Sequence, residues 1–159
     1  MTAKSNAAAK LEGELIVTRT LDATPETVYK AWTDPEQMAR WWGPNRFTNP
    51  ICELDVRPGG AWRIVMRAPD GVEYECGGVY REVVVAQRLV FTNNAFDSEG
   101  KALLEGVTSV TFAAQGAKTK LMLETRMVGK VSYAAQMLAG MEAGWNQSLD
   151  RLTALVAKG

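Results

Sequence analysis

The chain has no histidine, only two cysteines and no net charge, with 18 Lys plus Arg against 18 Asp plus Glu in 159 residues. The missing histidines exclude Ser-His-Asp and Cys-His nucleophile pairs, imidazole proton shuttles and every His-ligated metal site. Asp, Glu, Lys, Tyr and Cys remain as candidate acids and bases. Cys52 and Cys76 are too few for a disulfide framework or a Cys-rich metal centre; two buried free thiols in a reducing cytoplasm are expected, with a single bridge between them as the alternative. No metal and no other cofactor is expected. The charge balance argues against a surface that holds phosphate backbones or anionic lipid, and basic residues are not interleaved with aromatics along one groove. No nucleic-acid partner is therefore expected. No apolar run approaches the roughly 18 residues of a membrane span. Residues 1–12 are small and polar without a signal-peptide core. They read as a flexible tail before a single cytoplasmic domain over residues 13–158.

What is present divides cleanly along the chain. Glu14 to Leu21 alternates and is β-branched, which predicts a strand. Thr24-Pro25 and Asp34-Pro35 each place a capping side chain before a proline, with Gln37 in the capping-box position. They predict two short helices, through Trp32 and through about Trp42. Strands follow at Ile51 to Val56, Ala61 to Arg67 and Val72 to Val85, the last with a bulge or bend at Gly77-Gly78. Arg88 to Asn93, Gly106 to Phe112 and Lys118 to Met127 complete an antiparallel meander, with turn-rich stretches at Asn93 to Lys101 and Ala114 to Ala117. One helix from Ser132 to about Ala157, about 39 Å long at 1.5 Å per residue, closes the chain. The fold class is α+β: a twisted antiparallel sheet whose apolar face the terminal helix covers.

That helix carries Gly140 and Gly144 in its interior, each costing about 1 kcal/mol relative to alanine. Either the glycines admit a closely packed neighbour, or they leave room beside a cavity and bend the helix at its mouth. The apolar stripe around them uses Met137, Met141 and Trp145, residues suited to an adaptable surface. Opposite them, the expected sheet-side lining is Trp62, Ile64, Met66, Tyr74, Cys76, Tyr80 and Phe91, with Trp41 or Trp42 near the mouth. On a helix, adjacent Trp41 and Trp42 cannot share one face, so at least one is expected near the surface or the pocket entrance. Glu73 and Glu75 alternate with apolar residues and are expected in solvent, while Asp55 and Arg57 are candidates to pair. Arg19 falls in the same alternation class as Leu15, Val17 and Leu21, as a buried ion-pair member or a polar handle for a ligand. No catalytic role and no metal-binding role is assigned to any residue.

Ala23-Thr24-Pro25-Glu26-Thr27-Val28-Tyr29, Ala31-Trp32-Thr33-Asp34-Pro35 and Trp41-Trp42-Gly43-Pro44 resemble the bacterial members of the activator-of-Hsp90-ATPase-like family. Asp55-Val56-Arg57-Pro58-Gly59-Gly60, Arg88-Leu89-Val90-Phe91-Thr92 and Gly144-Trp145-Asn146-Gln147-Ser148-Leu149 extend the resemblance to nearly all of Glu14 to Leu155. It implies the helix-grip fold of the START-like (SRPBCC, Bet v 1-like) superfamily, in which a curved sheet wraps a long C-terminal helix around a cavity for apolar molecules. It transfers no catalytic set. The separate chaperone-binding domain of eukaryotic activators is not expected within 159 residues.

The expected function is binding of an apolar or aromatic small molecule, lipid-, polyketide- or hormone-like, between sheet and helix. The alternatives are a cyclase, aromatase or hydrolase acting on a polyketide-like substrate through Tyr74, Tyr80 or Arg19, and a co-chaperone partner of an Hsp90 homologue. Exposed sheet edges also admit a homodimer.

Overall fold

The computed structural model describes residues 11–157. Ten of the twelve residues expected as a tail, and Lys158 of the expected domain, lie outside that range. The elements are β1 (Glu12–Leu21), α1 (Pro25–Thr33), α2 (Pro35–Trp41), β2 (Thr48–Leu54), β3 (Ala61–Arg67), β4 (Glu73–Val84), β5 (Arg88–Phe96), β6 (Ala102–Gln115), β7 (Lys118–Gly129), α3 (Ala134–Ala139) and α4 (Met141–Ala157). The seven strands form one antiparallel sheet in the order β1-β7-β6-β5-β4-β3-β2. Only β1 leaves its sequence neighbours, crossing over by way of α1 and α2 to the far edge and pairing with β7. This is the α+β helix-grip arrangement.

Local chemistry explains the two small helices. Thr24 Oγ1 accepts the Thr27 N–H at 3.4 Å, and Pro25 supplies a preset first helical residue. Asp34 serves both helices. Its own N–H closes α1 on the Lys30 carbonyl at 2.8 Å, and its carboxylate accepts the Glu36 N–H of α2 at 3.2 Å. Gln37 reaches that carboxylate (3.4 Å) instead of the backbone N–H that a capping box would use.

The concave face holds the core. Ile64, Leu89, Val110, Leu121 and Leu123 point inward against Leu149, Leu152 and Val156 of α4, with Trp32 and Trp41 wedged between. Each fully buried aliphatic side chain contributes about 2 kcal/mol. The convex face carries cross-strand ion pairs, among them Arg63–Glu75 at 3.0 Å and Arg67–Glu73 at 2.7 Å, so Glu73 and Glu75 do face outward. Such exposed pairs contribute under about 1 kcal/mol each. Asp55 and Arg57 pair at 3.0 Å, also on the surface.

Three expectations need correction. The ladder runs through Gly77-Gly78 without a register shift, and the irregularity falls between Tyr80 and Glu82. Gly78 is required for another reason: a Cβ there would stand 2.1 Å from the Thr92 carbonyl, so only glycine admits this close approach. Secondly, β5 continues to Phe96 and β6 starts at Ala102, which turns much of the expected turn region into paired strand. Thirdly, the terminal helix is interrupted. Gly140 ends α3 with its N–H shared between the Gln136 and Met137 carbonyls at 3.2 Å each, and α4 resumes at Met141.

Candidate functional site

The interruption matters because of what faces it. A Cβ added to Gly144 would meet nothing within 4 Å, and one added to Gly140 would meet only carbonyls of the preceding helical turn at 3.8 Å. Close packing therefore does not explain either glycine. Beside Gly144 a cleft of about 200 Å³ opens between α3–α4 and the sheet. The helical wall is Met137, Met141, Gly144, Trp145 and Ser148. The sheet contributes Met66, Cys76, Asn93, Ala95, Leu104 and Met127, and Trp42, Gly43 and Pro44 form the mouth.

Six of the residues singled out from sequence thus meet in one place: Trp42, Met66, Cys76, Met137, Met141 and Trp145. The other six stand elsewhere. Trp41 is fully buried, its indole N–H donating to the Ala31 carbonyl at 2.8 Å and its ring 4.6 Å from that of Trp32, so it fastens α2 to α1. Trp62, Tyr80 and Phe91 share the inward face but pack deeper, around Trp32, Met38 and Leu89. Ile64 is fully buried in the core. Tyr74 lies near the sheet rim, 44% exposed, against Phe47. Neither tryptophan of the pair is at the surface. The helix stops at Trp41, and Trp42 is extended (φ −65°, ψ 134°), so the two rings escape the helical constraint and both turn inward.

The mouth is fastened from α4. Ser148 Oγ accepts the Gly43 N–H at 3.0 Å, and Gln147 Oε1 accepts the Asn45 N–H at 3.0 Å. Arg151, which sequence reading passed over, donates from Nη1 to the carbonyls of Trp42, Gly43 and Pro44 and from Nη2 to those of Arg40 and Phe47, all at 2.9–3.2 Å. Burial lowers its pKa from the ordinary value, yet a guanidinium stays charged. On the other side of α4, Arg19 pairs with Asp150 at 2.8 Å and donates to Asn146 Oδ1 at 3.0 Å, which makes it an ion-pair member and not a ligand handle.

The floor contains a second group that sequence reading missed. Asn93, Thr108 and Thr125 face inward from β5, β6 and β7 and are buried. The Asn93 amide nitrogen donates to Thr108 Oγ1 at 3.3 Å, and Thr108 Oγ1 lies 2.8 Å from Thr125 Oγ1. Alternation of Phe91, Asn93 and Ala95 was the available signal, but Asn93-Asn94 reads as a turn pair by composition.

Cys76 is the one ionisable residue in the cleft wall. Burial pushes its thiol up to about 12, against an opposing hydrogen bond from Trp42, and Cys52 is pushed up to about 11 by burial and by Asp34 and Glu53. Burial also raises the Tyr80 phenol. The two cysteines are free: both pair across Ile64, which places them two strands apart, about 9–10 Å, beyond disulfide reach. All three groups are acids whose neutral form the fold favours. The unfolded chain releases their protons first, so the thiols' contribution is complete below about pH 9 and is lost as pH rises toward 11–12. Urea unfolding should show a steady alkaline decline above pH 9 that Cys76→Val makes shallower. An identical decline in the variant would remove Cys76 as a cause.

A larger concavity, about 470 Å³, lies on the convex face of β1, β6 and β7. Glu14, Glu124 and Arg126 line it, and it follows from the twist of the sheet. We regard the cleft as the candidate site because it is the one that the helix break, the unpacked glycine and the loop fastening all border. Among the described residues no group of three or more His, Cys, Asp or Glu could hold a metal ion, and no helix is long and apolar enough to cross a membrane.

Known proteins share this fold. A protein from Chromobacterium violaceum matches with 31% identity over 91% of this chain and 97% of its own, at a TM-score of 0.81. The AHSA1 protein from Silicibacter pomeroyi matches with 26% identity over 91% and 98%, at a TM-score of 0.79. A putative uncharacterized protein from Rhizobium leguminosarum, 24% identical over 93% and 96%, shares the fold at a TM-score of 0.82. No curated protein matches the chain. The family model for activator of Hsp90 ATPase homolog 1-like proteins matches residues 22–157, spanning the capped helices, the tryptophan pair and the fastened terminal helix, and the chain belongs to that family, within the START-like superfamily.

Proposed function

We propose that the protein binds a small apolar or aromatic molecule in the cleft beside Gly144. The observation that carries this reading is the state of α4. Its C-terminal half buries Leu149, Leu152 and Val156 in the core, whereas Met137, Met141 and Trp145 keep an apolar surface that the sheet does not fill. The volume narrows the ligand. A cavity of about 150 Å³ accommodates benzene, so a cleft near 200 Å³ suits one or two rings, and a long lipid or a four-ring hormone would protrude past Pro44. Methionine walls allow some adjustment of that shape.

The residues that a cyclase or hydrolase would use support it poorly. Arg19 is tied to Asp150, Tyr80 packs deeper in the core, and Tyr74 sits at the rim. The chaperone reading rests on the family's name alone.

Naphthalene is a suitable probe, with Trp42 and Trp145 as built-in reporters. Saturable quenching of tryptophan fluorescence is expected, and Met141→Glu should weaken it at least about tenfold by placing a charge in the apolar wall. Absence of saturable binding by naphthalene and by other one- and two-ring probes would remove the proposal.

A further inference from the structure

The floor of the cleft carries a directional polar group where apolar residues would suffice. Asn93 is 9% exposed and lines the cleft. One of its amide hydrogens is committed to Thr108 Oγ1 at 3.3 Å, and that hydroxyl is itself hydrogen-bonded to Thr125 Oγ1 at 2.8 Å, either oxygen being able to donate. The threonine pair thereby fixes the amide plane. Its carbonyl oxygen has no hydrogen-bond partner among the described residues, and it is not one of the sealed-off atoms, which are Trp32 Nε1 and Asn49 Oδ1. Asn93 lines the cleft, so the amide groups that the protein leaves unpaired, Oδ1 and one N–H, are those a ligand there would meet. No carboxylate, ammonium or guanidinium lines the wall, so an ionised ligand would enter without a counter-charge, at a cost far above that of a neutral one.

Building on the proposed ligand-binding role, we infer that the cleft selects uncharged one- or two-ring molecules bearing a hydroxyl, which docks on the Asn93 amide. A hydroxyl is the smallest group that can donate to the carbonyl oxygen and accept the free amide hydrogen together. An analogue lacking it leaves Oδ1 desolvated and unpaired, which is where discrimination arises.

Three probes of similar size test this: 2-naphthol, 2-methylnaphthalene and 2-naphthoate, titrated by tryptophan fluorescence at pH 7. The wild type should bind 2-naphthol at least about fivefold more tightly than 2-methylnaphthalene, and 2-naphthoate weakest. Asn93→Leu should erase the preference while 2-methylnaphthalene binds as well or better. Should that variant fold poorly, Thr108→Val, which keeps Asn93 but frees its amide plane, should reduce the preference part of the way. Equal binding of the two neutral probes to the wild type, or a preference that survives in Asn93→Leu, overturns the hydroxyl assignment and leaves the ligand-binding role standing. If neither neutral probe binds the wild type, the cleft is not a ligand site and this inference falls with it.

Discussion

Arg151→Met is expected to destabilise the protein by about 3 kcal/mol, seen in urea unfolding as a lower midpoint with an unchanged slope. The methionine keeps the stem's bulk, so the loss isolates the guanidinium. Five carbonyl oxygens, on Arg40, Trp42, Gly43, Pro44 and Phe47, lose their donor together. Hydrogen bonds to a charged group each contribute about 1.5–3 kcal/mol, but the more exposed of these carbonyls turn to water, so the total falls well short of the sum. Arg151→Lys should recover under half of the loss, because one ammonium cannot match a planar fork aimed at both ends of the loop. The same variants should weaken probe binding, since Trp42, Gly43 and Pro44 frame the mouth. A loss below about 1 kcal/mol in Arg151→Met would mean that water serves these carbonyls as well as arginine does.

Gly144→Leu separates folding from binding. Open space faces the missing Cβ, so a leucine there extends into the cleft without striking backbone. Replacing glycine within a helix gains about 1 kcal/mol of propensity, and the new side chain covers Met137 and Trp145. The variant should therefore melt higher than wild type while naphthalene binding falls about thirtyfold or more, equivalent to about 2 kcal/mol. Gly144→Ala, with a smaller intrusion, should share the stability gain and retain most of the binding. A Gly144→Leu protein that still binds naphthalene with wild-type affinity would place the ligand elsewhere.

These residues also show where sequence reading succeeds and where it stops. Thr24-Pro25 and Asp34-Pro35 announce helix starts because capping is decided within four residues, and both were legible. Alternation groups Met66 with Trp62 and Ile64, and Cys76 with Tyr74, but does not fix which side faces in; in the fold Met66 and Cys76 lie on the concave side. Alternation is silent about depth. Ile64, Trp62, Tyr80 and Phe91 share that side yet lie below the cleft, a distinction set by the curvature of the sheet and the slant of α4. Trp41-Trp42 misled because a helical period was carried one residue too far. Arg151 left no local trace at all, since its partners are backbone carbonyls more than a hundred residues away, and a carbonyl has no letter in the sequence.

The separation in sequence of those contacts bears on when the cleft comes into being. Hairpins β2–β3, β3–β4, β4–β5, β5–β6 and β6–β7 close over short loops, whereas β1 must find β7 and α4 must find the Trp42–Phe47 loop across most of the chain. Loop-closure entropy makes such long-range pairings slow relative to neighbouring hairpins. A ribosome-bound chain that has released β7 but not yet α4 holds the sheet wall of the cleft without the helix wall or the fastened mouth. In the proposed role, ligand capture therefore waits until α4 has emerged and docked on the sheet, however early the hairpins pair.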